Sequence, residues 1–161
     1  ICAEVCSRRK VSLAVDIPAG LEVLAHDESL GMVFRNIFEN ACRFSPENGT
    51  VRVSARQEGT IVIFRVVDDG PGIAPEHLER IFERFYRVEA HRGQQSTGLG
   101  LAICKHVVER HGGRIWAESP AQDGSTAIVF TLAAAHGGDE DSSAPVAENP
   151  GRAGDADGVD A

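Results

Sequence analysis

The chain has 161 residues, 42% of them hydrophobic, and a formal net charge of −8. That length suits one domain with a sizeable core, and no apolar run approaches the roughly 18 residues of a membrane span. The charge is uneven. Seven acids against Arg152 place −6 of it between Ala133 and Ala161, so the remaining body is nearly neutral and offers no basic surface for nucleic acid.

No signal peptide precedes the body, and a start at Ile1 rather than Met suggests a piece of a longer protein. Residues 1–9 are short and mixed, the end of a preceding helix or a linker. Residues 10–135 carry the patterned domain. From 136 to 161 the chain is acidic and rich in Gly, Ala, Pro and Ser, with too little apolar surface to order itself, and is expected to be disordered. Cys2, Cys6, Cys42 and Cys104 show no Cys-x-x-Cys spacing. Cys42 and Cys104 fall inside apolar helical patterns and read as buried small hydrophobes. Cys2 and Cys6 lack the further ligands a metal would need. The set suits a reducing compartment.

Val11, Leu13 and Val15 alternate with smaller or polar residues, the period of a half-buried strand. After the Pro18-Ala19-Gly20 turn, Leu21 to Ala25 reads as a second short strand. Asp27 is placed to cap a helix. There Leu30, Val33, Phe34, Ile37, Phe38 and Ala41 recur at helical spacing. Asn36 and Asn40 stack on one face of it, with Arg43 three further on. Two amides there are either solvent-facing or oxygen ligands for a hard cation such as Mg²⁺.

Thr50 to Ala55 and Ile61 to Val67 read as an antiparallel hairpin around Gln57-Glu58-Gly59. The second strand runs into Asp68-Asp69-Gly70-Pro71-Gly72-Ile73. This is either an ordinary acidic turn or a carboxylate set to take a hydrogen bond from a ligand. Pro75 to Phe82 is expected as a short helix, and 81–87 holds three aromatics. Glu89 to Ser96 is polar and without period, as in a mobile lid. At Thr97-Gly98-Leu99-Gly100-Leu101 a glycine-bearing loop enters an apolar helical run, which Gly112-Gly113 stops. A helix start of that kind presents free N–H groups to an anion. Arg114 to Glu118 and Thr126 to Leu132 are strands. No Walker A sequence, dinucleotide Gly-x-Gly-x-x-Gly or Gly-x-Ser-x-Gly occurs.

Four of these stretches, in order, resemble the motifs of sensor histidine kinases. Asn36-x-x-x-Asn40-Ala41-x-Arg43-Phe44-Ser45 resembles their asparagine box, and Asp68-x-Gly70-x-Gly72 their first glycine box. Phe82-Glu83-Arg84-Phe85-Tyr86-Arg87 resembles their phenylalanine box, and Thr97-Gly98-Leu99-Gly100-Leu101-Ala102 their second glycine box. The resemblance covers about Lys10 to Leu132. It implies an α/β (α+β) two-layer sandwich of a mixed sheet against helices, the Bergerat-type ATP-binding fold shared with gyrase-type, heat-shock-chaperone and mismatch-repair ATPases.

It also implies ATP and Mg²⁺ as cofactors. Asn40 would be the principal Mg²⁺ ligand, with Asn36 beside it or on the phosphates and Arg43 on phosphate; these three form the catalytic set. Asp68 would bond the adenine amino group, and Gly70, Gly72 and Ile73 would shape the adenine wall and lid hinge. Phe82 and Phe85 would anchor the lid, with Tyr86 and Arg87 contacting nucleotide. Thr97, Gly98, Leu99, Gly100 and Leu101 would cradle the phosphates. Asp69 stands where the family most often has Asn and would bring an extra negative charge near the pocket. Gyrase-type enzymes match less well, because Asn36 stands where their general-base Glu would be.

The implied partners are a dimerisation and phosphoacceptor domain expected before Ile1, and a response regulator. The parent would be a homodimer, with this domain cytoplasmic and the parent anchored in the inner membrane. His26-Asp27-Glu28 mimics an acceptor pair but lies between a strand and the asparagine helix, out of reach of its own nucleotide. His106 and His111 read as surface residues. The alternative is a nucleotide-binding regulatory module or a serine-directed protein kinase of the same superfamily.

Overall fold

The computed structural model describes residues 6–7, 10–88, 97–119 and 125–136. The expected lid, most of the leading segment and the acidic tail from 137 onward lie outside them. Five strands, β1 (Ser12–Asp16), β2 (Thr50–Glu58), β3 (Ile61–Asp68), β4 (Ile115–Glu118) and β5 (Thr126–Ala133), form one sheet in the order β1-β2-β3-β5-β4. Only β1 and β2 pair in parallel, joined through helix α1 (Asp27–Phe44). The pairs β2–β3, β3–β5 and β4–β5 are antiparallel. Helix α2 (Gly100–Arg110) lies beside α1. The two-layer sandwich with a mixed sheet is thus the architecture found.

The period-two pattern decides which face is covered. In β2, Val51, Val53 and Ala55 are buried while Arg52 and Arg56 face solvent. In β3, Val62, Phe64, Val66 and Asp68 turn inward. Against them α1 packs Val33, Ile37, Phe38 and Ala41. Phe34 of α1 meets Phe64 and Phe130 edge-on, each at 5.5 Å, and those two stack on each other at 4.8 Å across the β3–β5 register.

Strand β5 is buried on both sides for most of its length. There Val129 pairs with Trp116 and Arg65. Glu118 accepts from Arg65 at 2.5 Å and from Trp116 Nε1 at 2.8 Å. Those two donors hold its carboxyl below the usual range.

Four local expectations need correction. Leu21 to Ala25 is not a strand. Only Val23 bridges, to Ala134, with Leu24 N–H donating to the Ala133 carbonyl. The segment therefore trails along the end of β5 without a ladder of its own. Pro75 to Phe82 is not one helix but two single 3-10 turns, Pro75–His77 and Arg80–Phe82. The cap of α1 is His26, whose carbonyl accepts from Leu30 N–H at 2.9 Å. Asp27 instead sits in the first turn, where its charge favours the helix dipole. His111 is also no plain surface residue: its ring meets that of His26 edge-on at 5.6 Å.

The aromatic stack makes a direct prediction. Phe130 is fully buried, so Phe130→Ala should lower stability by about 3–5 kcal/mol. Denaturant titration measures this. A loss below about 1 kcal/mol would show that α1 does not depend on the stack.

Candidate functional site

Between β3 and β4 the chain leaves the sheet and returns, and in that excursion it builds a cavity of about 610 Å³. That volume is typical of a small-molecule site. The floor is set by Asp68, the last residue of β3. The alternation that buries Val66 also turns Asp68 inward, and its side chain is only 6% exposed. The carboxylate accepts the Gly70 N–H at 2.8 Å. Burial, and to a lesser extent the neighbouring Asp69 charge, push its pKa up to about 6 against that one bond. It is still largely ionised at neutral pH, with acceptor positions left for a ligand N–H.

Gly70 does not line the cavity. A Cβ there would lie 2.4 Å from Asp68 Oδ1 and 3.0 Å from the Phe44 carbonyl oxygen. Its role is to let the loop close on both the carboxylate and the end of α1. Asp69 faces the other way, as the strand period requires. It accepts from Thr50 N–H at 2.9 Å and from Arg52 at 2.7 Å, and those bonds hold its carboxyl below the usual range. The extra charge expected near the pocket is therefore paired on the far side of the sheet. Gly72, at φ 79°, and Ile73 reach the cavity wall. Ile73 N–H donates to Ser119 Oγ, which donates in turn to the Ser125 carbonyl. The loop is thereby tied to the ends of β4 and β5.

From α1, Asn36, Asn40 and Arg43 line the cavity together, as their i, i+4, i+7 spacing requires. Asn36 also hydrogen-bonds the Cys104 thiol of α2. Opposite it, α2 begins without a side-chain cap. Ile103 N–H makes the first bond back, to Leu99. The amides of Gly100, Leu101 and Ala102 thus lie in the first turn, where a helix has no partner of its own to offer. Leu99, Gly100 and Leu101 line the cavity, as do Thr97 and Gly98.

Gly98 is held at φ 68°, and its carbonyl accepts the Phe85 N–H at 2.9 Å. A Cβ on it would lie 2.9 Å from the Phe85 carbonyl carbon and 3.0 Å from the Tyr86 oxygen. The backbone at 85–86 and at 97–98 is therefore clasped. Tyr86 and Arg87 line the cavity. Tyr86 is held by its hydroxyl against His77 Nδ1 at 2.7 Å and by Arg80, 4.2 Å from its ring centre. Phe82 is buried. Phe85 is 72% exposed and does not line the cavity. What the structure gives Phe85 at this site is the backbone clasp with Gly98.

Apart from Gly70, Phe82 and Phe85, every residue expected to hold ligand or shape its site lines this one cavity. Sequence reasoning missed Glu39, His77 and Thr126, which also line it. Glu39 adjoins Asn40 and was legible from the helix. Thr126 arrives through its register with Asp68, and His77 through a 3-10 turn, neither of which leaves a local pattern.

Burying Asp68 has a price in stability with a definite sign. Its pKa of about 6 stands above the 3.8 of an unperturbed aspartate, so the folded state binds the extra proton. Stability falls as the pH climbs from about 4 to about 6, and the full loss, about 3 kcal/mol, persists above that. Asp68→Asn keeps the acceptor for Gly70 and removes the charge. It should therefore melt higher than the wild type at pH 8, and the gap should close near pH 4. Paired melting curves at the two pH values measure this. A variant less stable than the wild type at pH 8 would show that the ionised carboxylate is not a burden.

Residues 25–136 match the family described as histidine kinase-, DNA gyrase B-, and HSP90-like ATPase. The sensor-like histidine kinase SenX3 of Mycobacterium tuberculosis is 40% identical over 142 residues, covering 83% of this chain and 34% of SenX3. The sensor protein SrrB of Staphylococcus aureus is 39% identical over 104 residues, covering 63% of this chain and 18% of SrrB. This chain thus spans about a third or less of these relatives. Among solved structures, the mycobacterial sensor histidine kinase MprB superposes with a TM-score of 0.76 at 34% identity, over 82% of this chain and 90% of that one. Full-length ShkA, solved in complex with AMPPNP, gives 0.70 at 30% identity, over 84% of this chain and 29% of ShkA. The chain belongs to the histidine kinase-, DNA gyrase B- and HSP90-like ATPase family, and its homologues are sensor histidine kinases.

Proposed function

We propose that the domain binds ATP with Mg²⁺ and positions the γ-phosphate for transfer to a histidine on a dimerisation domain of the parent protein, for relay to a response regulator. The parent is read as a homodimer anchored in the inner membrane, with this domain on the cytoplasmic side. Among the described residues no helix is long and apolar enough to cross a membrane. The observation that carries the reading is that one cavity holds both a buried acceptor, Asp68, and the uncapped start of α2. The first suits the amino group of adenine, the second a phosphate.

The residues present fit a metal that arrives with its nucleotide. Asn36 and Asn40 supply hard oxygen donors, and no group of three His, Cys, Asp or Glu side chains among the described residues could hold an ion without phosphate. Mg²⁺, when bound, would neutralise phosphate charge. Asn40, with Asn36 beside it, would hold it, and Arg43 and Arg87 would add positive charge. Phosphoryl transfer asks for positioning and charge neutralisation more than covalent help, and these side chains supply both. Asp68 would orient the base while the α2 amides hold the phosphates.

Calorimetry tests the assignments separately. Asp68→Asn should weaken ATP binding by about 1.5–3 kcal/mol, the worth of a hydrogen bond to a charged group. GTP should bind the wild type poorly, because Asp68 would face a carbonyl. Equal affinities for ATP and GTP would remove Asp68 from this role. Gly98→Ala should cost at least about tenfold in ATP affinity, since it breaks the clasp and strains a left-handed residue. At Gly100 a Cβ meets Asn36 Oδ1 at 3.5 Å, an ordinary contact, so Gly100→Ala should cost far less. The reverse order would overturn the clasp.

Transfer has its own test. With γ-labelled ATP, label should stay off this chain alone and appear on an added dimerisation domain of the parent. Asn40→Ala should abolish that transfer while leaving ADP binding partly intact. Acid-labile label on His26 of the isolated chain would contradict the reading.

A further inference from the structure

Two sulfur atoms outside the nucleotide cavity face each other. Cys6 Sγ lies 2.9 Å from Cys42 Sγ, and both residues are buried, at 2% and 1% exposure. Each sits on a separately anchored backbone. The Cys6 carbonyl accepts the Val11 N–H at 3.0 Å, which fixes it at the entrance to β1. Cys42 stands in the last turns of α1, whose end is closed by Ser45 N–H donating to Ala41. The contact therefore joins the segment entering β1 to the helix that carries Asn36, Asn40 and Arg43. A disulfide needs a sulfur separation of about 2.05 Å, so closing the bond asks for less than about 1 Å of movement.

Cys104 provides an internal contrast. It is fully buried, its Sγ points at the Val33 carbonyl at 3.6 Å, and burial pushes its thiol up to about 12. It is as buried as Cys6 and Cys42, and what sets it apart is its partners: its thiol is bonded to a carbonyl and to Asn36, not to sulfur.

We propose that Cys6 and Cys42 are a redox-active thiol pair that hydrogen peroxide oxidises to an intramolecular disulfide, latching the segment before β1 onto α1. One thiolate attacks the peroxide oxygen: an S–O bond forms, the O–O bond breaks, and hydroxide leaves to become water. The second thiol then attacks the resulting sulfenic sulfur. The S–S bond forms, the S–O bond breaks, and a second water carries off the remaining proton. Two thiols are oxidised, and one peroxide is reduced to two waters. The pair is independent of nucleotide, since neither cysteine lines the cavity.

The experiment exposes the full chain to hydrogen peroxide, then unfolds it in N-ethylmaleimide, digests it and analyses the peptides by mass spectrometry. The expected product is a peptide joining Cys6 to Cys42, lighter by two hydrogens, with Cys104 recovered as the alkylated thiol. The oxidised chain should melt at least ~5 °C higher, because a crosslink across this span restricts the unfolded state. Dithiothreitol should reverse the shift. Recovery of Cys6 and Cys42 as alkylated thiols, or as separate sulfinic acids, would overturn the proposal. So would a link from either to Cys2, to Cys104 or to a second chain. A chain carrying the Cys6–Cys42 link that melts no higher would overturn the latch.

Discussion

The contact of Phe34 with Phe64 and Phe130 governs where everything else lies. It is the point at which α1 is seated on two neighbouring central strands at once. From Phe34, the helical period carries Asn36, Asn40 and Arg43 toward the end of β3 where Asp68 stands. The strand period carries Asp68 to the inner face from Phe64, two pairs of residues earlier. The stack thus sets the helix and strand registers against each other. A one-residue slip of β3 would turn Asp68 outward and Asp69 inward, exchanging a buried acceptor that faces the cavity for a carboxylate with no arginine beside it.

That dependence explains why Asp68 persists as a buried carboxylate with, among the described residues, one backbone donor, Gly70. A fully satisfied carboxylate would sit more comfortably and would have nothing left to offer a ligand. Asp69 shows the contrast within one dipeptide. It has Arg52 and the Thr50 amide, its carboxyl is held below the usual range, and it serves the fold. The same residue type does two jobs because the chain's pleat sends successive side chains to opposite faces.

What the sequence disclosed and withheld follows from how local each signal is. Helix α1, the β2–β3 hairpin and the glycine-bearing entry to α2 each announce themselves within a dozen or so residues. All three are found, although β2 runs on through Gln57 and Glu58, which the pattern puts in the turn. Leu21 to Ala25 had the composition of a strand, but a strand needs a partner along its length, and the end of β5 offers one bridge only. Residues 75–82 had a proline start and apolar spacing, yet broke into two 3-10 turns. The outward turn of Asp69 was legible in principle, since Asp68 closes an alternating strand. His77, Thr126 and the Cys6–Cys42 contact were not legible, because each joins segments far apart in the chain.

The two glycines of the second glycine box, alike in sequence, answer to different physics. Gly98 is required by backbone: a positive φ, a carbonyl bonded to Phe85, and no room for a Cβ against residues 85 and 86. Gly100 has ordinary room for a Cβ, and what it would touch is Asn36 Oδ1 at 3.5 Å. It is therefore a spacing residue between the helices. It allows the start of α2 to sit against an asparagine of α1, and Asn36 in turn reaches the Cys104 thiol one turn further along α2. The amides expected to hold phosphate and the amide oxygens expected to hold the metal are consequently parts of one helix–helix contact. Any movement of α2 relative to α1 must alter both at once.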